Sequence, residues 1–198
     1  MRKGQLTHQA ILDESVQLAS NLGLSGLSVG SLANQMQMSK SGLFAHFRSK
    51  EQLQLQTLTH ARALFVDLVV RPSLAVSDGE PRLRALMGHW LSWDDSALAG
   101  GCLFVAAAVE LDDRPGPLRD ALITSEREWI ELLASVVRSA IINREFGPQV
   151  DPEQVAFEVH ALMLGYHHSS RLLSTRPRAA AHTTAALERL IVAARVSV

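Results

Sequence analysis

The chain of 198 residues contains a single cysteine, Cys102, a single tyrosine, and only 5% aromatic residues. One cysteine closes no intrachain disulfide, so nothing points to an oxidising compartment or a disulfide-built fold. No run of about 18 uncharged apolar residues occurs, which leaves no candidate for a membrane-spanning helix. Arg2 and Lys3 are followed by no apolar core of the secretory kind, because Asp13 and Glu14 interrupt it, and the cytoplasm is the expected location. Turn signals are also sparse, with seven prolines and twelve glycines. They recur far less often than the roughly 8–12-residue rhythm of an all-β chain requires. A nucleophile elbow, a phosphate-cradling glycine loop and a paired-carboxylate signature are all missing. An enzyme is therefore not expected, and neither is a cofactor.

What the chain does have is an apolar fraction of 47%, dominated by Leu, Ala and Val, with 20% charged residues. That balance describes a globular, mainly helical protein. The net charge of −1 is unevenly spread: residues 1–54 carry +2 and the remainder −3. A weakly basic head on an acidic body suits a partner that needs only local positive charge.

Apolar periodicity predicts a first helix over roughly 6–22 (Ile11, Leu12, Leu18, Ala19 and Leu22 on one stripe), stopped by Gly23. Ser28 is placed to cap a helix over 29–36, and Ser39 to cap another over 40–47. A long helix and two short ones joined by a tight turn make the three-helix arrangement of a helix-turn-helix. Ser49 caps a further helix predicted from Lys50 to about Val70, ended by Arg71-Pro72. Beyond it, helices are predicted over 81–94, 102–111, 118–144, 153–174 and 178–196, separated by glycine- and proline-bearing breakers.

The densest pattern lies in SVGSLANQMQMSKSGLFAHFRSKEQL, residues 28–53. Together with Thr7 and Ile11 in the first helix and Gly23 after it, this order resembles the TetR family of bacterial regulators. Ser28 matches the capping Thr or Ser, and Leu32-Ala33 the apolar pair of the second helix. Ser39–Phe47 matches the recognition helix, and Ser49-Lys50-Glu51-Gln52-Leu53 the closing segment. The resemblance implies an all-α fold of about nine helices. It implies a DNA-binding head in residues 1–48 and a helical ligand-binding and dimerisation domain in 49–198. Its partners are then a roughly palindromic double-stranded operator, a second copy of the chain, and a small-molecule effector that releases a repressor. A same-fold activator, or a helical enzyme or scaffold with an incidental helix-turn-helix, are the competing readings.

Physical reasoning assigns the head position by position. A helix entering the major groove needs a small, polar N-terminal face; Lys40, Ser41 and Gly42 provide one, and the capping Ser39 at its start is a further DNA-binding candidate. Leu43 and Phe47, four apart, are expected to point into the head's core. Phe44 and His46 fall off that stripe and are expected at the DNA, Phe44 through an apolar contact and His46 through a phosphate. Lys50 at a helix N-terminus, and Ser28 beyond its cap role, are further phosphate candidates.

The remaining chain is read less sharply. Residues 100–120 look like one recurrent C-terminal type of the family. Effector pockets are mostly apolar with a few convergent polar groups, and the candidates are Met87, Trp90, Phe104, Ala108, Glu110, Trp129, Met163, Tyr166 and His167. Each aromatic or Met in such a position is more often plain core than ligand-facing. His160, His167 and His168 share a helix without the spacing of two ligands on one face, so no metal is expected. Cys102 is expected to be a small buried residue. For dimerisation the last two helices are expected to contribute Val155, Val159, Leu162, Met163 and Tyr166, with Ala181, Thr184, Ala185, Leu187 and Ile191.

Overall fold

The computed structural model describes residues 3–195, with side chains from residue 8 onward. The side chain of Thr7 and the expected helix end at Val196 therefore lie outside the described residues. Helices account for most of the described chain: α1 (Lys3–Gly26), α2 (Val29–Gln35), α3 (Lys40–Phe44), α4 (Lys50–Phe65), α5 (Arg71–Leu74), α6 (Glu80–Ser92), α7 (Leu103–Leu111), α8 (Pro117–Ile142), α9 (Pro152–Arg171) and α10 (Arg176–Ala194). The only extended pairing among the described residues is an isolated bridge between Phe146 and Arg195. Among the described residues no helix is long and apolar enough to cross a membrane.

Arg71-Pro72 does not end the fourth helix as the sequence suggested. A π-helical turn at Val66–Val70 carries the chain into α5, with Pro72 in its first turn. A wider turn accommodates a ring that would otherwise strike the carbonyl four residues back. A second π-helical turn, Trp93–Ala97, follows α6.

The described residues form two compact units, one running up to residue 65 with 95–125, the other residues 66–94 with those from 126 on. In the first, Ile11, Val16, Ala19, Leu24, Leu27, Leu32, Leu43, Phe47, Leu53 and Leu58 are buried almost completely. Each of the larger side chains supplies about 1.5–3 kcal/mol on burial. The Ser15 hydroxyl, itself buried, lies 2.9 Å from the Thr57 hydroxyl and ties α1 to α4. Gly23 interrupts α1 with φ 76° and ψ 161°, which bends the chain into the last residues before α2. The segment before α7 docks on α1 through Gln17, whose amide donates to the Ala97 carbonyl at 3.0 Å, and through Ser20, which accepts from the Gly100 amide at 3.0 Å. Gly100 is needed there, because a Cβ would lie 1.7 Å from the Ser20 carbonyl oxygen.

In the second unit the core is Leu83, Leu86, Met87, Trp90, Trp93, Leu133, Val137, Phe146, Val159, Met163, Tyr166 and Ile191. The Glu145 carboxylate accepts from the Glu80 amide at 2.7 Å and so caps α6 from outside the helix. Asp151 caps α9 by accepting from the amides of Glu153 and Gln154. On one edge Arg84 joins Glu80 to Glu188, and Arg195 returns to Glu80 at 2.6 Å. The Arg195 hydrogen bond is the largest influence holding the Glu80 carboxyl below its ordinary range, ahead of the Arg84 bond.

Candidate nucleic-acid interface

The α2–α3 pair is ordered by its caps. The Ser28 hydroxyl accepts from the Ser31 amide at 3.0 Å, and the Ser31 hydroxyl returns to the Ser28 amide at 3.0 Å, a complete capping box. At the other end the Met38 amide donates to the Ala33 carbonyl and the Gln37 amide to the Asn34 carbonyl. This is the paired closure of a Schellman motif, and its left-handed residue is Gln37 at φ 53° rather than a glycine. Two residues, Met38 and Ser39, then lead into α3, whose N-cap Ser39 accepts from the Gly42 amide at 3.1 Å.

α3 is shorter than the sequence suggested and ends at Phe44, with residues 45–46 in a turn. Leu43 and Phe47 are nevertheless fully buried. The Phe47 amide still reaches the Leu43 carbonyl at 3.1 Å, so the last turn keeps helical spacing. Lys40 and Ser41 are exposed, Gly42 is half-buried, and Phe44 is 53% exposed, an isolated aromatic among polar neighbours. His46 is half-buried because His8 of α1 stacks on it, ring centroids 5.5 Å apart, and Phe47 lies against both rings.

Lys50 opens α4 and is exposed, but its ammonium donates to the Ser25 carbonyl at 2.6 Å. Ser25 is held from two further sides. The Glu110 carboxylate accepts from the Ser25 amide at 2.7 Å, and the Arg114 guanidinium donates to the Ser25 hydroxyl at 3.0 Å. Gly23 gives Glu110 its access, since a Cβ there would lie 2.0 Å from the Glu110 oxygen. The turn before α2 is thus fixed by α4, α7 and the loop after α7. Glu110 stood out in sequence only as an effector candidate. Ser25 carried no signal, because its partners lie 25 to 89 residues away. His8, on the recognition side of α1, also went unmarked.

The effector candidates divide between the units. Phe104 is buried in the first unit, with its ring 5.6 Å from Phe65, and Ala108 is half-buried. Met87, Trp90, Trp129, Met163 and Tyr166 are buried in the second unit, where Trp90 meets Tyr166 edge to face at 6.0 Å. His167 of α9 is 2.6 Å from Asp94, a carboxylate with no exposed surface, and each side chain orients the other. Cys102 is buried, 2% exposed.

The dimer stripe expected on α9 is not the exposed one. Val155, Val159, Met163 and Tyr166 are buried within the unit. The free stripe is Phe157, Ala161, Leu164, Gly165, His168 and Leu172, with Phe157 66% and Leu172 71% exposed. On α10, Ala181, Thr184 and Ala185 are exposed as expected, joined by Val192, whereas Leu187 and Ile191 are buried.

Comparison with known proteins agrees with this geometry. A family model described as bacterial regulatory proteins of the TetR family matches residues 11–57. Another, described as a tetracyclin repressor-like C-terminal domain, matches residues 79–187. Among curated proteins, the HTH-type transcriptional repressor NemR of Escherichia coli K12 is 24% identical over 169 residues, 84% of each chain. A TetR transcriptional regulator from Chloroflexus aurantiacus superposes with a TM-score of 0.84 at 27% identity, covering 97% of this chain and 96% of its own. AibR, in a complex with isovaleryl coenzyme A and operator DNA, superposes with a TM-score of 0.68 at 24% identity, covering 81% of this chain and 85% of its own. From head to C-terminal helices, the chain belongs to the TetR family of bacterial regulatory proteins.

Proposed function

We infer that the protein is a cytoplasmic, homodimeric transcriptional repressor, without enzymatic activity, that leaves its operator when a small molecule binds. The single observation that carries the reading is the α2–α3 pair. It is closed by caps at Ser28 and Ser39, anchored by buried Leu43 and Phe47, and presents Lys40, Ser41 and Phe44 outward. Lys40, Ser41, Gly42 and Phe44 are the residues assigned to base edges and sugars. Ser28, Ser39, His46 and Lys50 are assigned to phosphates, the contacts that set register without reading sequence. Residues 1–48 then act as the DNA-binding part, and 49–198 as the part that senses ligand and dimerises. Repression and ligand response are supported by NemR, named a transcriptional repressor, and by AibR, solved with an acyl coenzyme A and operator DNA.

The apolar cluster of Met87, Trp90, Met163 and Tyr166, with His167 held on Asp94 as its polar member, is assigned to the effector. The exposed stripe of α9 and the small residues of α10 are assigned to the twofold contact, where two hairpins would form a four-helix bundle. A ligand moves DNA affinity only by its differential affinity for two arrangements, typically about 1–3 kcal/mol of coupling.

The test is binding of the full chain to DNA from its own upstream region, with excess unrelated DNA, at two salt concentrations. A selective, salt-sensitive complex of two chains per site is expected. Absence of any selective complex, there and in a randomised-DNA selection, would refute the reading. Promoter activity that falls on deletion of the gene would replace repressor by activator.

A further inference from the structure

Between the first turn of α4 and the loop joining α7 to α8, the first unit holds an open cleft of about 440 Å³. Its walls carry three cationic side chains, Lys50, Arg114 and Arg119, against one carboxylate, Glu51. The three cations spend their hydrogen bonds on neutral oxygens. Lys50 and Arg114 donate to Ser25, and Arg119 donates to the Asp112 carbonyl at 2.9 Å. By contrast Arg71, Arg82, Arg84, Arg138 and Arg195 each meet a carboxylate. Neutral oxygens satisfy the donors without pairing their charges, and three cations against Glu51 on the wall and Glu110 on the Ser25 amide still leave a net positive charge. The first turns of two long helices, α4 and α8, also open on it and add partial positive charge from their amides.

We propose that this cleft binds a phosphate group, with Arg114 and Arg119 as guanidinium forks and Lys50 as a point charge, and that the group belongs to a phosphorylated small molecule. Guanidinium geometry matches phosphate oxygens in pairs. The volume lies within the roughly 300–1,000 Å³ of small-molecule sites and exceeds what a bare ion fills. Leu111, Pro115 and Leu118 supply apolar wall for the rest of the molecule. Binding has a consequence for the head. Lys50 and Arg114 are two of the three groups that hold Ser25, so a phosphate that recruits them loosens the turn leading to Ser28. That consequence rests on the DNA-binding reading; the binding itself does not.

The experiment is calorimetric titration of the full-length, DNA-free protein with inorganic pyrophosphate at constant ionic strength. Saturable binding of one pyrophosphate per chain is expected. It should weaken at least tenfold in Arg114→Ala and in Arg119→Ala, and stay unchanged in Arg127→Ala, which removes the same charge from an exposed position of α8 outside the cleft. Melting curves check that each variant is folded. Arg119, which donates to a loop carbonyl and does not touch Ser25, keeps the test valid if Arg114→Ala loosens the head. Equal weakening in all three variants, or none in any, overturns the site. The DNA backbone offers the same phosphate chemistry, and a second arm separates it. If pyrophosphate fails to bind while Arg114→Ala and Arg119→Ala each flatten the salt dependence of duplex binding by about one unit of slope, the small-molecule assignment is overturned in favour of DNA. Failure of the wild type to bind any duplex would count against the DNA-binding reading alone, because the pyrophosphate titration contains no DNA.

Discussion

The α2–α3 pair and the α9–α10 hairpin both leave one side open, with opposite chemistry. On α2–α3 the open positions are Lys40 and Ser41 with the single aromatic Phe44, and the serines at the helix starts are spent on caps. On α9–α10 they are Phe157, Leu164, Leu172 and Val192, interleaved with Ala161, Ala181 and Ala185. A phosphate backbone keeps much of its hydration and is recognised by a few well-placed charges and donors. A protein partner is recognised through contiguous apolar area with small residues that let helices approach. The same fold thus presents two surfaces that should fail in different ways.

The largest expected effect breaks the apolar side. Phe157→Glu with Leu172→Glu should raise the dimer dissociation constant at least a hundredfold, about 2.8 kcal/mol at 1.4 kcal/mol per tenfold, because an interface carboxylate must be desolvated unpaired. Sedimentation equilibrium checks it, and a variant that remains dimeric places the interface elsewhere. Next, Lys40→Ala should cost about 1–3 kcal/mol of operator affinity with dimerisation untouched. Fluorescence anisotropy with labelled operator reads this, and unchanged affinity removes Lys40 from the interface.

Two smaller effects concern how the polar side is held in shape. Gln37→Gly should raise the denaturant midpoint by the equivalent of about 1 kcal/mol, because glycine carries no Cβ penalty at φ 53°. Ser39→Ala should lower it by about 1 kcal/mol through loss of the cap on α3. A midpoint that moves the other way in either variant contradicts the assigned backbone role.

The smallest effect is electrostatic and belongs to the second unit. Glu80 has its carboxyl held low by Arg195, then by Arg84. A depressed folded value means that stability is fully present above the ordinary carboxylate range and is lost as pH falls through the folded value. Glu80→Gln should therefore flatten the acid limb of a stability–pH curve below roughly pH 4, with little change at pH 7 in that slope. An acid limb as steep as that of the wild type would remove Glu80 from the acid transition.

Particular residues show how far the sequence could be read. Ser28, Ser39 and Ser49 announced helix starts, and the structure uses each as a cap. Leu43 and Phe47 announced a buried stripe even though α3 stops at Phe44, since helical spacing survives one loose turn. Gln37 gave no warning of a left-handed turn, because only glycine or asparagine usually signals one. The α9 stripe was misassigned for a different reason. That helix is apolar on two sides, with Val155, Val159 and Met163 on one and Phe157, Leu164 and Leu172 on the other. Periodicity identifies an apolar side but cannot say which of two is covered by the chain's own helices.

By itself, then, the sequence determined where most helices begin, which three make the head, and which family they belong to. Those features rest on contacts within a few residues: caps, spacing and breakers. Only the tertiary structure decided that Lys50, Glu110 and Arg114 converge on Ser25, that His8 covers His46, and which side of α9 stays open. Each depends on groups brought together from distant parts of the chain. Such pairings form only once the core closes, when burial and hydrogen-bond satisfaction select among side chains that look alike in sequence.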